Sequence, residues 1–177
     1  PFRITAPLAS NLSRDAYAAA FRRVVAYIEA GDCYQINLAQ RFSAPAAGDP
    51  WLAYQALRVI NPAPYAAYLN MPCATVMSAS PERFLKLEGS RVETRPIKGT
   101  RARAGHPRLD AERIAALQAS AKDRAENVMI VDLLRNDLSK NCELGSVKVT
   151  RLFEVESFAT VHHLVSTVTG TLLPKPA

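Results

Sequence analysis

The stretch DRAENVMIVDLLRND (residues 123–137) carries the clearest structural signal in this sequence. It belongs to a longer segment, 110–136, that contains neither Gly nor Pro and is rich in Ala, Leu, Glu and Arg, which predicts helix. A break near Ser120 is expected to divide this helix in two. Residues 128–134 are apolar almost all round, which indicates burial on most sides and means that Asp132 needs a partner.

Strand patterns lie on both sides of this helical segment. After Gly145, β-rich runs at 147–153 and 158–173 predict two strands. Before the helices, four short strands separated by Pro and Gly suggest an antiparallel meander. These strands cover residues 65–70, 74–79, 83–88 and 91–95.

The first 62 residues predict two helices and one strand. Ser13 caps a helix over 14–30, in which apolar residues recur at helical spacing. Residues 34–42 alternate with a period of two and predict a strand, whose polar face is suited to lining a cleft. A second helix begins at Asp49-Pro50 and ends at Asn61-Pro62, because a residue before proline disfavours helical geometry.

The order of these elements indicates an α+β layered fold. The sequence shows no internal repeat and no long linker, so residues 1–177 are expected to belong to one domain. The chain begins at Pro1 without Met and stops just after a strand-like run. We therefore expect a fragment that is truncated at both ends.

Composition excludes several classes of protein. The chain is 49% hydrophobic and 21% charged, which suits a globular core and not a disordered or fibrous chain. No apolar run approaches the roughly 20 residues that cross a bilayer, and no secretory leader is evident. Cys33, Cys73 and Cys142 are an odd number at wide spacing, which fits neither a disulfide framework nor a metal-ligand pair. A cytoplasmic protein is expected.

Lys98 in ETRPIKGTRAR (93–103) is the first candidate for chemistry. The apolar step Pro96-Ile97 precedes it, and a lysine in an apolar pocket loses its charge more easily and becomes a usable nucleophile or base. Gly99 follows, where the small residue lets a backbone amide approach an anion. The alternative is a surface lysine in a turn; the glycine spacing excludes a P-loop.

Two carboxyl groups are further candidates. Glu82 in SASPERF (78–84) lies at the start of a strand, where burial would let it act as a general acid. The alternative is a pair with Arg83 or a solvated turn residue. Glu126 opens the apolar helix and is a candidate Mg²⁺ ligand, since Mg²⁺ prefers one or two carboxylates plus water and substrate oxygens. Its alternative is a solvated helix glutamate.

His162 and His163 are neighbours in VHHLVSTVTG (161–170). Alternation along a strand sends their side chains to opposite faces, so only one of them can face a given cleft. The alternative for each is a structural histidine whose ring nitrogens are satisfied.

Residues 83–113 hold nine basic against four acidic residues, in a chain whose net charge is +6. Such a cluster attracts anions, including nucleic acid. Phe84 is the single aromatic residue in this span, and nucleic-acid surfaces often interleave aromatic with basic side chains. An anionic small molecule therefore fits as well or better.

Six stretches together resemble the chorismate-utilising enzymes, a family with aminodeoxychorismate, anthranilate, isochorismate and salicylate synthase branches. They are DCYQINLAQRF (32–42), NPAPYAAYL (61–69), SASPERF, ETRPIKGTRAR, DRAENVMIVDLLRNDLS (123–139) and VHHLVSTVTG. Lys98 favours the aminodeoxychorismate branch, in which this motif reads PIKGT, whereas anthranilate synthases usually have alanine there. The resemblance implies a two-sheet antiparallel α+β sandwich with flanking helices, incomplete in this fragment.

The resemblance also implies an activity. Lys98 would attack C2 of chorismate and displace the C4 hydroxyl, with Glu82 as the general acid for that departure. Ammonia from a partner glutamine amidotransferase would then add at C4 and expel the lysine, leaving 4-amino-4-deoxychorismate for folate synthesis. Gly99 and Thr100 would help to line the site, and His163 would face the substrate ring.

Further roles follow from the same resemblance. Glu126 would be one of two carboxylates that hold Mg²⁺. The family carries a tryptophan-type pocket remote from catalysis, to which this chain would contribute Pro64, Tyr65 and Ala66. In this chain Ala66 stands where the family usually has methionine.

Two other functions stay open. In an anthranilate-type or isochorismate-type enzyme Lys98 would be incidental, and a non-catalytic domain would bind anions or nucleic acid through residues 83–113. The resemblance favours chorismate, with no nucleic acid and no membrane as partners. Family members are more than twice this length, so unpaired strand edges and little activity are expected of the fragment alone.

Overall fold

The structure is a computed structural model that describes residues 1–174. These residues form two compact units, Pro1–Ala53 and the part from Tyr54 onward. Within them, none of the helices combines the length and apolarity needed to cross a membrane.

The first unit contains one long helix and two short strand pairs. Its elements are β1 (Arg3–Ile4), β2 (Ala9–Ser10), α1 (Arg14–Glu29), β3 (Phe42–Ser43) and β4 (Ala46–Ala47). Strand β1 pairs with β4, and β2 pairs with β3, both antiparallel. The Ser13 hydroxyl accepts a hydrogen bond from Ala16 N at 3.1 Å, which confirms the predicted helix and its cap.

The strand predicted over residues 34–42 is wrong in all but its last residue. Residues 35–41 form neither helix nor strand. An alternating segment becomes a strand only when a neighbour supplies backbone hydrogen bonds. Here that contact begins at Arg41, whose carbonyl accepts from Asn11 N at 3.0 Å.

Helix α2 (Pro50–Ile60) begins and ends where predicted, and leads into a hairpin of β5 (Tyr65–Met71) and β6 (Ala74–Ser80). This hairpin is a two-stranded sheet of its own. The predicted meander is therefore wrong at one step, because the next strand along the chain pairs in a different sheet.

That larger sheet has five antiparallel strands: β7 (Arg83–Glu88), β8 (Arg91–Arg95), β9 (Ile97–Ala102), β10 (Lys148–Ser157) and β11 (Val161–Thr171). Strand β11 is central, with β10 on one side and both β8 and β9 on the other; β7 follows β8 at the edge. Nine of its eleven residues are buried. The strand β9, which contains the PIKGT motif, was not predicted.

Helices α3 (Pro107–Ala119) and α4 (Ala121–Ser139) pack on one face of this sheet. Ser120 separates them as predicted, and its hydroxyl caps α4 by accepting from Asp123 N at 3.3 Å. Asn127 is fully buried and donates from Nδ2 to the carbonyl of Leu164 at 3.2 Å, which ties α4 to β11. Helices on one face of an antiparallel sheet confirm the α+β class.

A smaller part of the α4 surface is buried than its sequence predicts. Val131 is buried against the sheet, whereas Val128 and Leu133 are about two-fifths exposed, at 39% and 41%. The partner that Asp132 requires is Arg135, 2.9 Å away on the surface. Only one face of the helix meets the sheet, so the apolar run is not enclosed by the described residues.

Candidate active site

Strand β9 departs from regular pairing at the PIKGT motif. Two register pairs flank the irregularity, Ile97 with Val165 and Thr100 with His163. Between them β9 has two residues, Lys98-Gly99, opposite a single residue of β11. Such a β-bulge bends a strand and re-aims its side chains, and bulges are common beside active sites.

Gly99 makes this bulge possible. Its φ is +92°, in the left-handed region that residues with a Cβ rarely adopt. A Cβ at this position would lie 2.9 Å from Cβ of Asp123 and 3.1 Å from Cδ1 of Leu117. Glycine therefore lets the bulged strand approach both α3 and α4 closely; an amide contact to substrate remains a prediction.

Lys98 is half-buried and follows the buried Pro96. Across residues 1–174, no carboxylate or carbonyl oxygen lies within ion-pair or hydrogen-bond distance of its amine. The position is therefore open to a ligand.

Glu82 is held one residue away from Lys98. Its Oε1 accepts a hydrogen bond from the backbone N–H of Ile97 at 2.8 Å. The pair with Arg83 that was considered for Glu82 is wrong, because Arg83 pairs with Glu93. The carboxyl group is thus held at the residue before Lys98, without pairing with its amine. Glu82 is exposed, so the burial that the sequence analysis required of a general acid is absent among the described residues.

His163 lies beside this bulge. It is 8% exposed, and its Nδ1 is hydrogen-bonded to Thr100 Oγ1 at 2.9 Å. The ring centroid of Phe158 is 5.4 Å from that of His163. Burial lowers the pKa of His163, although the carboxylates of Glu82 and Glu156 partly oppose that change. The neutral imidazole is favoured, as a hydrogen-bonding partner with one donor and one acceptor nitrogen.

His162 faces the helices on the other side of the sheet, so the predicted opposition of the two histidines is confirmed. The Nδ1 atom of His162 is hydrogen-bonded to Ser157 Oγ at 2.8 Å. Its Nε2 atom lies 3.3 Å from Oδ1 of Asp110, but the two groups are too poorly aligned for a hydrogen bond. The N–H of Ala104, together with Arg103, lowers the pKa of Asp110 to about 2. These contacts form a structural network on the face of the sheet opposite His163.

Glu126 supplies one carboxylate on α4. It is partly exposed and pairs with Lys122 one turn earlier at 3.1 Å. Within residues 1–174 there is no group of three or more His, Cys, Asp or Glu side chains placed to hold a metal ion. An exposed i,i+4 pair is weak, so the carboxylate can exchange Lys122 for a cation. Among residues 1–174 Glu126 offers a single carboxylate, and its ligation of Mg²⁺ remains a prediction.

The three residues predicted for a tryptophan-type pocket lie at the start of β5 but in two different cavities. Pro64 and Tyr65 line a cavity of about 200 Å³, where the Arg83 guanidinium lies 5.4 Å from the Tyr65 ring centroid. Ala66 lines a second cavity of about 370 Å³ together with Arg58 of α2. A ligand role for these residues remains a prediction.

The basic cluster at 83–113 is largely neutralised by carboxylates. Six of its nine basic side chains form ion pairs: Arg83–Glu93, Lys86–Glu88, Arg95–Glu156, Arg101–Asp123, Arg103–Asp110 and Arg108–Glu112. A further one, Arg113, donates to the carbonyl of Ala102 at 2.5 Å. A surface paired in this way does not favour phosphate backbones, which bind unpaired cations.

Glu156 was missed by the sequence analysis. It lies on β10 opposite His163 in register, and Arg95 of β8 pairs with it. The strand was predicted over 147–153, whereas β10 continues to Ser157 past Phe153, whose φ is +59° at an irregularity in the pairing. Strand β10 resumes after Phe153. Glu156 could have been found by counting the alternation of side chains backward from the turn before β11.

Comparison with protein families gives one match that spans most of the chain. The family model described as chorismate binding enzyme matches residues 3–176.

Individual relatives point to two enzymes of that kind. Aminodeoxychorismate synthase component 1 of Salmonella typhimurium is 50% identical over 172 residues, which are 97% of this chain and 38% of that protein. An anthranilate synthase component 1 of Haloarcula marismortui is 45% identical over 163 residues, or 92% of this chain and 33% of that protein. The chain thus spans about two-fifths or less of the length of these relatives.

A solved structure shares the fold. The crystal structure of anthranilate synthase component I from Streptococcus pneumoniae matches with a TM-score of 0.85 at 34% identity. The match covers 96% of this chain and 37% of that one. The predicted fold class is confirmed by this neighbour.

Proposed function

Because this chain belongs to the family of chorismate binding enzymes, we propose that it is part of an enzyme that converts chorismate and ammonia to 4-amino-4-deoxychorismate. The observation that carries the proposal is Lys98, a lysine at a β-bulge beside Glu82 that has no ion-pair partner among residues 1–174. The similarity to aminodeoxychorismate synthase component 1 supports it. Residues 1–177 are proposed to belong to one chorismate-binding catalytic domain.

The first step forms a covalent adduct. The amine of Lys98 attacks C2 of chorismate, both ring double bonds shift by one position, and the C4 hydroxyl leaves as water after taking a proton from Glu82. The surplus proton on the new C2–N bond returns to Glu82. Glu82 is placed for that role because the Ile97 amide holds its carboxyl group at the residue before Lys98. Dividing a difficult substitution into two displacements is the benefit of covalent catalysis.

The second step releases the product. Ammonia adds at C4, both double bonds shift back, and the Lys98 amine departs from C2 with the proton that the added ammonia gives up. The sum of the two steps is chorismate plus ammonia giving 4-amino-4-deoxychorismate plus water. Thr100 and His163, which are hydrogen-bonded to each other beside the bulge of Lys98, are proposed to orient the substrate ring. A partner glutamine amidotransferase is proposed as the source of ammonia, and folate synthesis as the destination.

Mg²⁺ is proposed as the cofactor, with Glu126 as one ligand. When bound, the ion would fix and neutralise a carboxylate of the substrate. Glu126 lies next to Asn127, whose amide ties α4 to β11, so its backbone position is rigidly connected to the strand that carries His163.

Replacing Glu126 by Gln in the full-length enzyme is expected to raise the Mg²⁺ concentration for half-maximal activity by at least about tenfold, since even outer-shell changes at metal sites have that effect. Direct Mn²⁺ binding, followed by electron paramagnetic resonance, should weaken in parallel. Glu112→Gln, which alters an exposed helix pair, is the control. An unchanged metal titration in Glu126→Gln would exclude ligation by this residue.

Product analysis tests the proposed function itself. The full-length enzyme, incubated with chorismate, Mg²⁺ and an ammonium salt, is expected to form 4-amino-4-deoxychorismate without release of pyruvate. Chromatography of the products separates the outcomes. Anthranilate with stoichiometric pyruvate would instead support the second candidate, an anthranilate synthase, which the Haloarcula relative and the Streptococcus structure favour.

A further inference from the structure

A second ion pair faces the same side of the sheet as His163. Glu156 lies directly opposite His163 in register, and cross-strand partners project to the same face with Cβ atoms roughly 5 Å apart. The Glu156 carboxylate is paired with the guanidinium of Arg95. Both side chains are mostly buried, with 31% and 21% exposed, so solvent screens their fields only in part.

The ion pair lines a cavity next to the histidine. Arg95, Glu156 and Phe158 line the same space of about 200 Å³, and Phe158 also contacts the His163 ring. Val165, two residues after His163 on β11, lines it as well. Charges that flank a small, partly enclosed space interact more strongly than they would in water.

Other charged groups of residues 1–174 also lie near His163. Glu82 accepts a hydrogen bond from the Ile97 amide, and Arg83, which lines the same cavity as Arg95 and Glu156, is paired with Glu93. On the opposite face the helices contribute Asp110 and Asp123, each already neutralised by an arginine. Glu156 is therefore the carboxylate on the adjoining strand whose charge must be balanced for His163.

We infer that Arg95 and Glu156 are positioning residues for His163. Glu156 places a carboxylate beside His163, and Arg95 neutralises the charge of that carboxylate. His163 therefore contacts Thr100 and the substrate as an uncharged ring. Loss of Arg95 alone exposes His163 to an unpaired anion and favours imidazolium. Loss of Glu156 alone leaves an unpaired cation and favours the neutral ring. The inference rests on the proposed function only in treating the site as catalytic.

The test is a histidine titration by nuclear magnetic resonance on the full-length enzyme labelled with ¹³C at histidine Cε1. The His163 signal is assigned by its loss in His163→Gln. In Arg95→Met the titration midpoint is expected to move to higher pH by about half a unit or more, as Coulomb's law gives for a near, half-screened charge. In Glu156→Gln it is expected to move to lower pH.

The double variant Arg95→Met, Glu156→Gln should return the midpoint toward that of the unmodified enzyme, because both charges are then absent. Arg108→Met, in an exposed helix pair, is the control and should leave it unmoved. Shifts in the same direction, or no shift, in the two single variants would overturn the inference. If Arg95→Met does not fold, the downward shift in Glu156→Gln decides alone.

The titration needs no substrate, so its outcome is independent of which product the enzyme forms. If the His163 midpoint shifts in opposite directions in the two single variants but the product is anthranilate, the proposed function is wrong and the inferred role of the ion pair is supported. A correct product without opposed shifts would do the reverse.

Discussion

Replacing Lys98 by Ala in the full-length enzyme is expected to abolish the covalent adduct with chorismate and to lower kcat by about three orders of magnitude or more, as loss of a nucleophile does elsewhere. The reason is that Lys98 has no ion-pair partner among residues 1–174 and lies at the bulge beside Glu82. Intact-protein mass spectrometry after incubation with chorismate and Mg²⁺, without ammonia, measures the adduct as chorismate less water.

Lys86→Ala is the matched control for this experiment. Lys86 also lies in the basic span, but it is exposed and paired with Glu88. It should retain the adduct and most of the activity. A normal adduct in Lys98→Ala would contradict the nucleophilic role, whereas loss of activity with an unchanged adduct in Glu82→Gln would only reassign the acid.

Replacing Gly99 by Ala is expected to lower the free energy of unfolding by about 2–5 kcal/mol, the sum of a left-handed backbone cost and an overpacking cost. The added methyl would meet Cβ of Asp123 at 2.9 Å, and this atom is fixed to the backbone of α4 and cannot rotate away. Either the bulge or the helix must move. Urea unfolding of the full-length enzyme measures the loss.

A substitution at Gly145 separates the backbone cost from the overpacking cost. Its φ of +78° is close to that of Gly99, but a Cβ there would have nothing within 4 Å. Gly145→Ala is therefore expected to cost only the backbone term, about 1–2 kcal/mol. If Gly99→Ala is no more destabilising than Gly145→Ala, then close packing of β9 on the helices does not require the glycine.

The starts of α1, α2 and α4 and the end of α2 were predictable because their causes are local, whereas α3 begins at Pro107, three residues before the predicted start. Ser13 and Ser120 cap the helices that follow them, and proline after Asn61 ends α2. The residue types at these places satisfy or block particular backbone groups within one turn. The hairpin strands at 65–71, 74–80, 83–88 and 91–95 were predicted for a similar reason, since turn residues delimit them.

Strand partners were less predictable. Residues 34–42 alternate as a strand should, yet only their end pairs, because strand formation depends on a neighbour that alternation does not specify. The six-residue β9 was missed for the opposite reason. Its bulge interrupts the alternation, and only pairing with β11 makes it a strand.

The sequence by itself determined which residue types were available for chemistry: a lysine after an apolar step, a carboxyl at a strand start, and adjacent histidines on opposite faces. Tertiary structure alone decided that Glu82 reaches the amide before Lys98, that Thr100 meets His163, and that Arg95 and Glu156 flank them. Local pattern fixes the direction of a side chain relative to its own strand. Which groups share a site depends on strand order and register, which are set by contacts between residues far apart in the chain.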